Sequence, residues 1–346
     1  MSVMQMSLKA LICEKFPMRI YLAQKLTRIL KTARIAPTGS KLQFTLSAFR
    51  YKLTLDFLSK EFKDLIGKYK NKNDHNQEEP GQSGKSKGKI WTMWWQGEEN
   101  APPIVKRCIE SMRRNAGGHK VVVITERNIS EYIDLPDYVY EKHEAKLMRV
   151  VFLSDIIRYS LLAEHGGLWL DATIYCFRPI PEEIWAMPLH SSKHYNKIPF
   201  PNQCGAKDKY IRNFESNELG GHKGHPAYCF ARDLLIQYWK DRSFVVEYYL
   251  MDCAMKLAYD NIDAVKRDVD AIPINSNDRF ELRKIMNKAY NQEEIDKIAN
   301  SGTVFFKLCC KEKFKKRTRT GTETTYKRFI DETMTYTIKG KNSEKI

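Results

Sequence analysis

No stretch of this sequence is long and apolar enough to cross a membrane. A spanning helix needs about 20 consecutive, mostly apolar residues, and no window of the 346-residue chain approaches that composition. The first apolar run, residues 10–13, is also too short for the apolar core of a secretory signal. We therefore expect neither a membrane span nor a signal peptide.

Paired cysteines are also missing. The eight cysteines stand at positions 13, 108, 176, 204, 229, 253, 309 and 310, with no Cys-x-x-Cys pair among them. The adjacent Cys309 and Cys310 are poorly placed for either a disulfide or a zinc site. We expect reduced thiols and hence a cytoplasmic protein.

Acidic residues are scarce at the two ends of the chain. Residues 1–89 contain 18 Lys and Arg against 7 Asp and Glu, and residues 307–346 contain 12 against 5. Of the formal net charge of +16, the residues between these ends contribute −2. Basic ends of this kind attract either nucleic acid or anionic lipid.

The first 70 residues combine this basic charge with two helix-like patterns. Apolar residues recur at helical spacing among Lys and Arg over residues 7–34, where Pro17 interrupts the pattern, and over residues 41–70. Such amphipathic helices lie in a membrane interface or pack their apolar stripes on a neighbouring domain. The sequence leaves both alternatives open.

The composition changes again after these helices. Polar residues dominate 71–88, which predicts a linker, and apolar segments return at residue 89. The predicted organisation is a basic helical extension over residues 1–70, a polar linker over 71–88, a main domain over 89–312 and a basic tail over 313–346.

The main domain opens with alternating strand-like and helix-like segments. An aromatic strand over 89–95 precedes a helix over 102–115, a Val-rich strand over 120–125 and a short helix over 128–133. Strands that alternate with helices predict a parallel sheet with right-handed crossovers. We therefore expect an α/β fold.

Residues 154–176 carry the most informative pattern. Residues 154–165 contain no Gly or Pro and have apolar residues at helical spacing, and Gly166 and Gly167 then end the helix. The apolar residues 168–170 form a short strand, which Asp171 follows. Ligands of open α/β sheets bind at the carboxyl ends of the strands, and Asp171 stands at such an end.

Two charged residues of the helix accompany Asp171. Asp155 and Arg158 are three residues apart and so share one helix face, where such a pair is often only a surface ion pair. The strand over 168–170 is apolar on both faces, as a central buried strand should be. A carboxylate that emerges from such a strand has little solvation and favours a cationic partner.

These residues resemble the core motif of the capsular polysaccharide synthesis proteins, a branch of glycosyltransferase family 32. The family pattern is Ser-Asp-x-x-Arg on a helix, then Gly-Gly, then a strand that ends in Asp-x-Asp. The matching residues are Ser154, Asp155, Arg158, Gly166, Gly167 and Asp171. Thr173 stands where the wider family has its second Asp, and Asp-Ala-Thr is the form typical of the capsular branch.

The resemblance implies a fold and an activity. The fold would be of the GT-A type, a Rossmann-like and mostly parallel sheet flanked by helices, here with an N-terminal helical extension. The activity would be that of a hexosyltransferase in capsular or cell-surface polysaccharide synthesis. It would move a sugar from a nucleoside-diphosphate sugar, a UDP-sugar first among them, to a saccharide or lipid-linked acceptor, with retention of configuration.

The resemblance also implies roles for individual residues. Asp155, Arg158 and Asp171 would be catalytic, and Asp171 would bind Mn²⁺ or Mg²⁺, while Asn217 and Asp252 would lie on the acceptor side. The nucleotide-sugar would be bound by Trp95, Gln96, Gly97, Asp155, Arg158, Gly166, Gly167, Asp171 and Lys307. For Trp95 the alternative is a core position, and for Lys307 a solvated strand end.

Two other classes of protein remain as alternatives. A sugar nucleotidyltransferase would carry a Gly-rich basic loop after the first strand, and residues 96–101 are not such a loop. A nucleic-acid binder would interleave aromatic and basic residues, whereas here the aromatics of the main domain lie in its near-neutral part. We expect no nucleic acid as a partner. An anionic membrane surface stays open, and it would place the protein peripherally on the inner face of the cell membrane.

Overall fold

The computed structural model describes residues 17–36, 40–70, 88–195 and 211–338. The predicted linker, apart from residue 88, lies outside the described residues. So do residues 1–16 and 37–39 of the predicted extension, residues 196–210 of the predicted main domain, and the last eight residues of the predicted tail.

A five-stranded sheet lies at the centre of the protein. The strands in chain order are β1 (Ile90–Met93), β2 (Val121–Ile124), β3 (Gly167–Leu170), β4 (Ile174–Cys176), β5 (Leu189–Ser191), β6 (His194–Tyr195), β7 (Ile211–Arg212), β8 (Glu218–Gly221) and β9 (Phe305–Lys307). The central sheet has the order β2-β1-β3-β8-β5, with β1 parallel to β2 and β3, and β8 antiparallel to β3 and β5. Four of its five strands therefore run in the same direction, which confirms the predicted mostly parallel sheet.

Helices flank this sheet, as predicted. In chain order they are α1 (Met18–Thr32), α2 (Lys41–Glu61), α3 (Lys63–Lys70), α4 (Pro103–Arg114), α5 (Asp137–Glu144), α6 (Val150–His165), α7 (Glu183–Ala186), α8 (Pro226–Lys240), α9 (Leu250–Asn261), α10 (Asp263–Ala271), α11 (Glu281–Ile285), α12 (Gln292–Ala299) and α13 (Thr325–Ile330). Among the described helices, none is both long and apolar enough to span a membrane.

The turn between α6 and β3 requires its two glycines. Gly166 and Gly167 have φ angles of +65° and +96°, which residues with a side chain rarely adopt. A Cβ atom on Gly167 would lie 2.4 Å from the carbonyl oxygen of Lys89. The pair therefore lets the chain reverse directly from the helix into a strand that pairs with β1.

The strand that ends before Asp171 is buried on both faces. Leu168 and Leu170 pack in one hydrophobic cluster with Ile90, and Trp169 packs in the larger cluster on the other face. All three residues of this strand segment are at most 1% exposed. The predicted central strand is confirmed, and its burial fixes the position of the residue that follows it.

The extension packs against the main domain through α2 and α3. Tyr51, Leu58 and Leu65 are buried in the same cluster as Tyr228 of α8 and Cys253 of α9. Packing of the apolar stripe on the domain, one of the two alternatives, therefore holds for residues 41–70. Two polar contacts add to it, Arg50 with Glu247 at 2.6 Å and Gln24 Nε2 donating to the carbonyl of Val246 at 2.6 Å.

The segment predicted as a basic tail packs on the domain as far as residue 338. Phe329 of α13 and the following Met334 and Tyr336 are buried in one cluster with Val105 of α4. Apolar residues spaced among many lysines and arginines made this segment look polar on average. The structure thus extends the packed body beyond the predicted boundary at residue 312.

The region over 186–225 contains strands that the sequence analysis did not predict. Two of the four residues of strand β8 are Gly220 and Gly221, so the strand has few apolar side chains. The glycines are needed there because the neighbouring chain segments approach closely. A Cβ on Gly221 would lie 2.6 Å from the carbonyl of Pro188.

Candidate active site

Asp171 lies at the carboxyl end of β3, at the edge of the sheet where the sequence predicted it. Its backbone N–H donates to the carbonyl of Asn217, just before β8, at 2.9 Å. The side chain is 25% exposed although the strand before it is buried. The carboxylate is thus fixed by the sheet and still reachable by a ligand.

Lys307 lies directly beside this carboxylate. Its Nζ atom donates to Asp171 Oδ2 at 2.6 Å and to Thr173 Oγ1 at 2.9 Å. The antiparallel pairing of β9 with β4, in which Lys307 is the partner of Ile174, brings the ammonium group to this place. Its side chain is 21% exposed, so it also faces the open side of the site.

Arg158 approaches the other carboxylate oxygen. Its Nη2 atom is 3.5 Å from Asp171 Oδ1, which also accepts a hydrogen bond from Trp169 Nε1 at 3.0 Å. The guanidinium lies 5.1 Å from the centre of the Trp169 ring and donates to the carbonyl of Ser216. Burial opposes ionisation of Asp171, but Lys307 and Arg158 outweigh it and hold the pKa of this carboxyl below its usual value.

Asp155 completes a group of four charged residues, Asp155, Arg158, Asp171 and Lys307, which we call the charged cluster. Asp155 is 3% exposed, and its Oδ1 is 3.3 Å from Arg158 Nη2 but lacks a hydrogen bond among the described residues. Burial, opposed by Arg158 and assisted by the carboxylates of Asp171 and Asp252, raises the pKa of Asp155 to about 7. The cluster therefore contains one firmly ionised carboxylate and one that titrates near neutral pH.

The raised pKa of Asp155 predicts how the stability of the folded protein depends on pH. An unfolded Asp ionises near pH ~4, so between about pH 4 and 7 the unfolded chain releases a proton that the folded protein keeps, and stability falls as pH rises. Asp155→Asn removes this penalty. We expect the melting temperature of the variant, relative to wild type, to be higher at about pH 8 than at about pH 4. The exposed Asp241→Asn is the control, and an equal difference at both pH values would contradict the assignment.

A second group of charged residues adjoins the first, and we call it the Glu215 cluster: Arg212, Glu215, Asp252 and Arg279. Glu215 Oε1 lies 3.1 Å from Arg212 Nε and 2.9 Å from Arg279 Nη2, and Arg212 Nη2 lies 3.6 Å from Asp252 Oδ2. Of these four residues, only Asp252 was predicted from the sequence as a site residue. A buried salt-bridge network between distant segments leaves no local pattern that could have revealed them.

Asn217 joins the two clusters. Its Nδ2 atom is 3.5 Å from Glu215 Oε2, and its carbonyl accepts the N–H of Asp171. The carbonyl of Arg279 accepts the N–H of Lys307 at 2.8 Å. The Glu215–Arg279 ion pair therefore connects the segment that carries Asn217 to the strand that carries Lys307.

The remaining residues that were predicted to bind the nucleotide-sugar lie at two opposite edges of the sheet. Trp95 is buried in the main hydrophobic cluster, and its ring centre lies 5.7 Å from that of His143 in an edge-to-face arrangement. Gln96 is exposed, and Gly97 has a φ of +91°. These three follow β1 at the same sheet edge as Asp171, because β1 and β3 are parallel. Gly166 and Gly167 instead lie at the opposite end of β3, where they form the turn. Gly167 is four residues before Asp171, so it lies about 13 Å from it along the strand.

A metal held by protein side chains alone does not fit this arrangement. Among the described residues there is no group of three or more His, Cys, Asp or Glu that could hold a metal ion. Both oxygens of Asp171 already face cations. Asp171 fits a divalent ion only where a ligand supplies most of the oxygen atoms and draws Lys307 away.

The fold and the site together define an α/β protein with a candidate ligand site at the carboxyl edge of its sheet, where one carboxylate lies between two cations. A family model described as capsular polysaccharide synthesis protein matches residues 38–329. The chain belongs to this family. Its predicted place within glycosyltransferase family 32 stays a prediction.

Individual relatives are more distant. The chain is 29% identical over 105 residues to the O-glycosyltransferase braB of Annulohypoxylon truncatum, a match that covers 28% of this chain and 25% of that protein. The chain thus spans only a quarter of that relative's length. The solved structure of the PaToxG glycosyltransferase has 14% sequence identity and a TM-score of 0.32 over 72% of this chain and 94% of its own, too low a score to support an argument.

Proposed function

We propose that this protein is a glycosyltransferase of capsular or cell-surface polysaccharide synthesis. It would transfer a hexose from a nucleoside-diphosphate sugar, with UDP-sugars as the first candidates, to a saccharide or lipid-linked acceptor. The observation that carries the proposal is Lys307 beside Asp171 and Thr173 at the carboxyl end of β3, with Arg158 on the other side. Membership of the capsular polysaccharide synthesis family supports it.

The two cations suit the leaving group of such a transfer. When the bond between the sugar's anomeric carbon and the diphosphate breaks, negative charge grows on the diphosphate oxygens. A fixed cation at that place stabilises the transition state more than the ground state. Lys307 has the reach and the exposure to turn from Asp171 to the diphosphate, while Asp171 holds it in position before the donor arrives.

Asp155 and Arg158 suit the binding of the sugar. An ionised Asp155 offers an oxygen that accepts from a sugar hydroxyl, and Arg158 donates. Their burial limits the access of water to the anomeric carbon, so that transfer to an acceptor is faster than hydrolysis of the donor. Hydrogen bonds from both would fix the ring orientation. Retention of configuration is part of the proposal and rests on the family resemblance.

Asp171 would hold Mn²⁺ or Mg²⁺ together with the diphosphate of the donor. When bound, the ion would neutralise charge on the leaving diphosphate. Because Lys307 and Arg158 already neutralise Asp171, we expect the free protein to bind Mn²⁺ too weakly to detect by titration calorimetry. Addition of UDP should make the binding measurable. Tight binding of Mn²⁺ without nucleotide would contradict this account of the site.

The Glu215 cluster is proposed as the wall of the acceptor side. Of the two residues predicted for this role, Asp252 belongs to the cluster and Asn217 contacts its Glu215. Tyr249, one helical turn before Asp252, is 38% exposed, and its pKa is raised by burial and by the Asp252 carboxylate. An exposed ring beside buried charges suits a sugar, which has apolar ring faces and polar edges.

The direct test is a screen of nucleoside-diphosphate sugars by thermal shift, followed by measurement of donor hydrolysis without acceptor. We expect one donor to raise the melting temperature by several degrees, since a ligand at a hundredfold excess over its dissociation constant adds about 2.7 kcal/mol of stability. A nucleotidyltransferase would instead release pyrophosphate from a nucleoside triphosphate and a sugar phosphate. Pyrophosphate release without any donor hydrolysis would overturn the proposal in favour of that class.

A further inference from the structure

Helix α1 exposes a stripe of large apolar side chains. Met18, Leu22, Leu26 and Ile29 follow one another at spacings of four, four and three residues, which places them on one face of the helix. Leu22 is 56% exposed, Leu26 48% and Ile29 54%. We call this stripe the outer face of α1. Such a contiguous exposed stripe normally marks an interaction site.

The opposite side of α1 is the one that packs on the protein. Ile20 is 1% exposed and belongs to the main hydrophobic cluster, and Gln24 donates to the carbonyl of Val246. The helix thus uses one face to attach itself to the domain and leaves the apolar outer face to solvent. Since the family match begins at residue 38, α1 lies outside the part that defines the family.

The charges that α1 and its flanking residues carry are all of one sign. Residues 17–36 contain five Lys and Arg and no Asp or Glu. Arg19 and Lys25 are exposed and flank the stripe on its two sides, at the angular positions that a helical repeat of 3.6 residues gives them. Lys25 and Arg28 also line a groove of about 440 Å³ with Ile29. Apolar side chains bordered by cations match a surface that is apolar below and negatively charged above.

We infer that the outer face of α1 docks in the interface of an anionic membrane, with Leu22, Leu26 and Ile29 among the acyl chains and Arg19 and Lys25 at the lipid phosphates. The helix of 15 residues lies in the membrane plane, because it is too short and too basic to cross it. A protein partner would meet this face with acidic side chains in a fixed pattern, whereas a membrane needs only the overall charge that is present.

The attachment of α1 and α2 gives the docking a defined orientation. Gln24 of α1 contacts the carbonyl of Val246, and Arg50 of α2 contacts Glu247. This segment leads directly into α9, which carries Asp252 of the Glu215 cluster. These contacts hold α1 in a fixed position relative to α9. A membrane below the outer face of α1 would therefore have a fixed orientation relative to the side of the site where the acceptor is proposed to bind.

Sedimentation of the full chain with lipid vesicles tests this inference without any assay of activity. We expect binding to vesicles of equimolar phosphatidylserine and phosphatidylcholine, and little binding to phosphatidylcholine alone. The double variant Leu22→Ser with Leu26→Ser should bind the anionic vesicles at least about tenfold more weakly than the wild type. Arg19→Gln with Lys25→Gln should weaken binding and reduce its dependence on salt.

Matched changes elsewhere on the surface provide the controls. Ile274→Ser replaces an exposed apolar residue and Lys120→Gln an exposed cation, both far in sequence from α1, and both should bind as the wild type does. Unchanged melting temperatures show that the variants are folded. The inference is overturned if the wild type does not sediment with anionic vesicles, or if the α1 variants bind as well as the controls. It is also overturned if the α1 changes abolish self-association of the chain while vesicle binding stays the same.

Discussion

Asp171→Asn should lower donor turnover by about a thousandfold, and changes at Asp171 should have the largest effect that we expect at any single position. Asparagine keeps the shape of the side chain but removes the charge that holds Lys307 at 2.6 Å and faces Arg158 at 3.5 Å. The two cations then repel each other without the carboxylate that lies between them, and Lys307 loses the position from which it meets the diphosphate. Asp171→Ala should abolish transfer as well. Turnover is measured as release of the nucleoside diphosphate.

The control for this prediction is Asp134→Asn, an exposed carboxylate away from the site. It should leave turnover unchanged. Because the loss of a partner leaves charges poorly compensated, Asp171→Asn should also melt at a lower temperature than wild type, so activity is compared well below both transitions. Turnover of the Asp171 variants close to wild type would remove the basis for placing the reaction at this carboxylate.

Lys307→Met should reduce kcat by about a hundredfold or more, with a smaller change in KM. Methionine keeps the length of the side chain and removes the charge. If Lys307 meets charge that grows on the leaving diphosphate, its loss acts on the transition state more than on binding. Lys307→Arg should restore part of the activity. Measurements with donor alone separate this effect from any change at the acceptor side.

Two comparisons sharpen the Lys307 prediction. Lys311→Met changes an exposed lysine four residues further along the same segment and should have no effect. The double variant of Asp171 and Lys307 should be little worse than Asp171→Asn alone, because the two residues act as one unit. Fully additive losses would mean that the two side chains act independently and would contradict the coupling that their contact implies.

The local part of the site could be predicted from the sequence because local rules determine it. Residues 154–165 repeat apolar side chains at helical spacing, two glycines allow the turn, and a strand buried on both faces delivers Asp171 to the sheet edge. Each step depends on residues that are close along the chain. The spacing of Asp155 and Arg158 likewise follows from helix geometry alone.

The contribution of Lys307 needed the family resemblance. Nothing between residues 171 and 307 indicates that the two meet, because their contact depends on the pairing of β9 with β4. The resemblance supplied that pairing only by implication. Glu215 and Arg279 were missed for the same reason, since their ion pair joins segments that are 64 residues apart.

Strand β8 shows another limit of sequence reasoning. A strand is recognised by apolar or β-branched residues, and two of its four residues are glycines that serve the close approach of neighbouring chains. Average composition also misled the prediction of the C-terminal segment, where a few aromatic residues among many basic ones are enough to pack it. For α1 the helical pattern was correct, but only coordinates show which face is covered.

The distance along the chain between Asp171 and Lys307 bears on how the protein is made. The two are separated by 136 residues, and β4 cannot obtain its partner strand until β9 has left the ribosome. A nascent chain therefore carries Asp171 long before Lys307, and the charged cluster is completed only after residue 307 has been synthesised. Under the proposed function, a polypeptide released before residue 307 would contain the sequence motif of residues 154–171 but lack the ammonium group that meets the leaving diphosphate, so we expect it to be inactive.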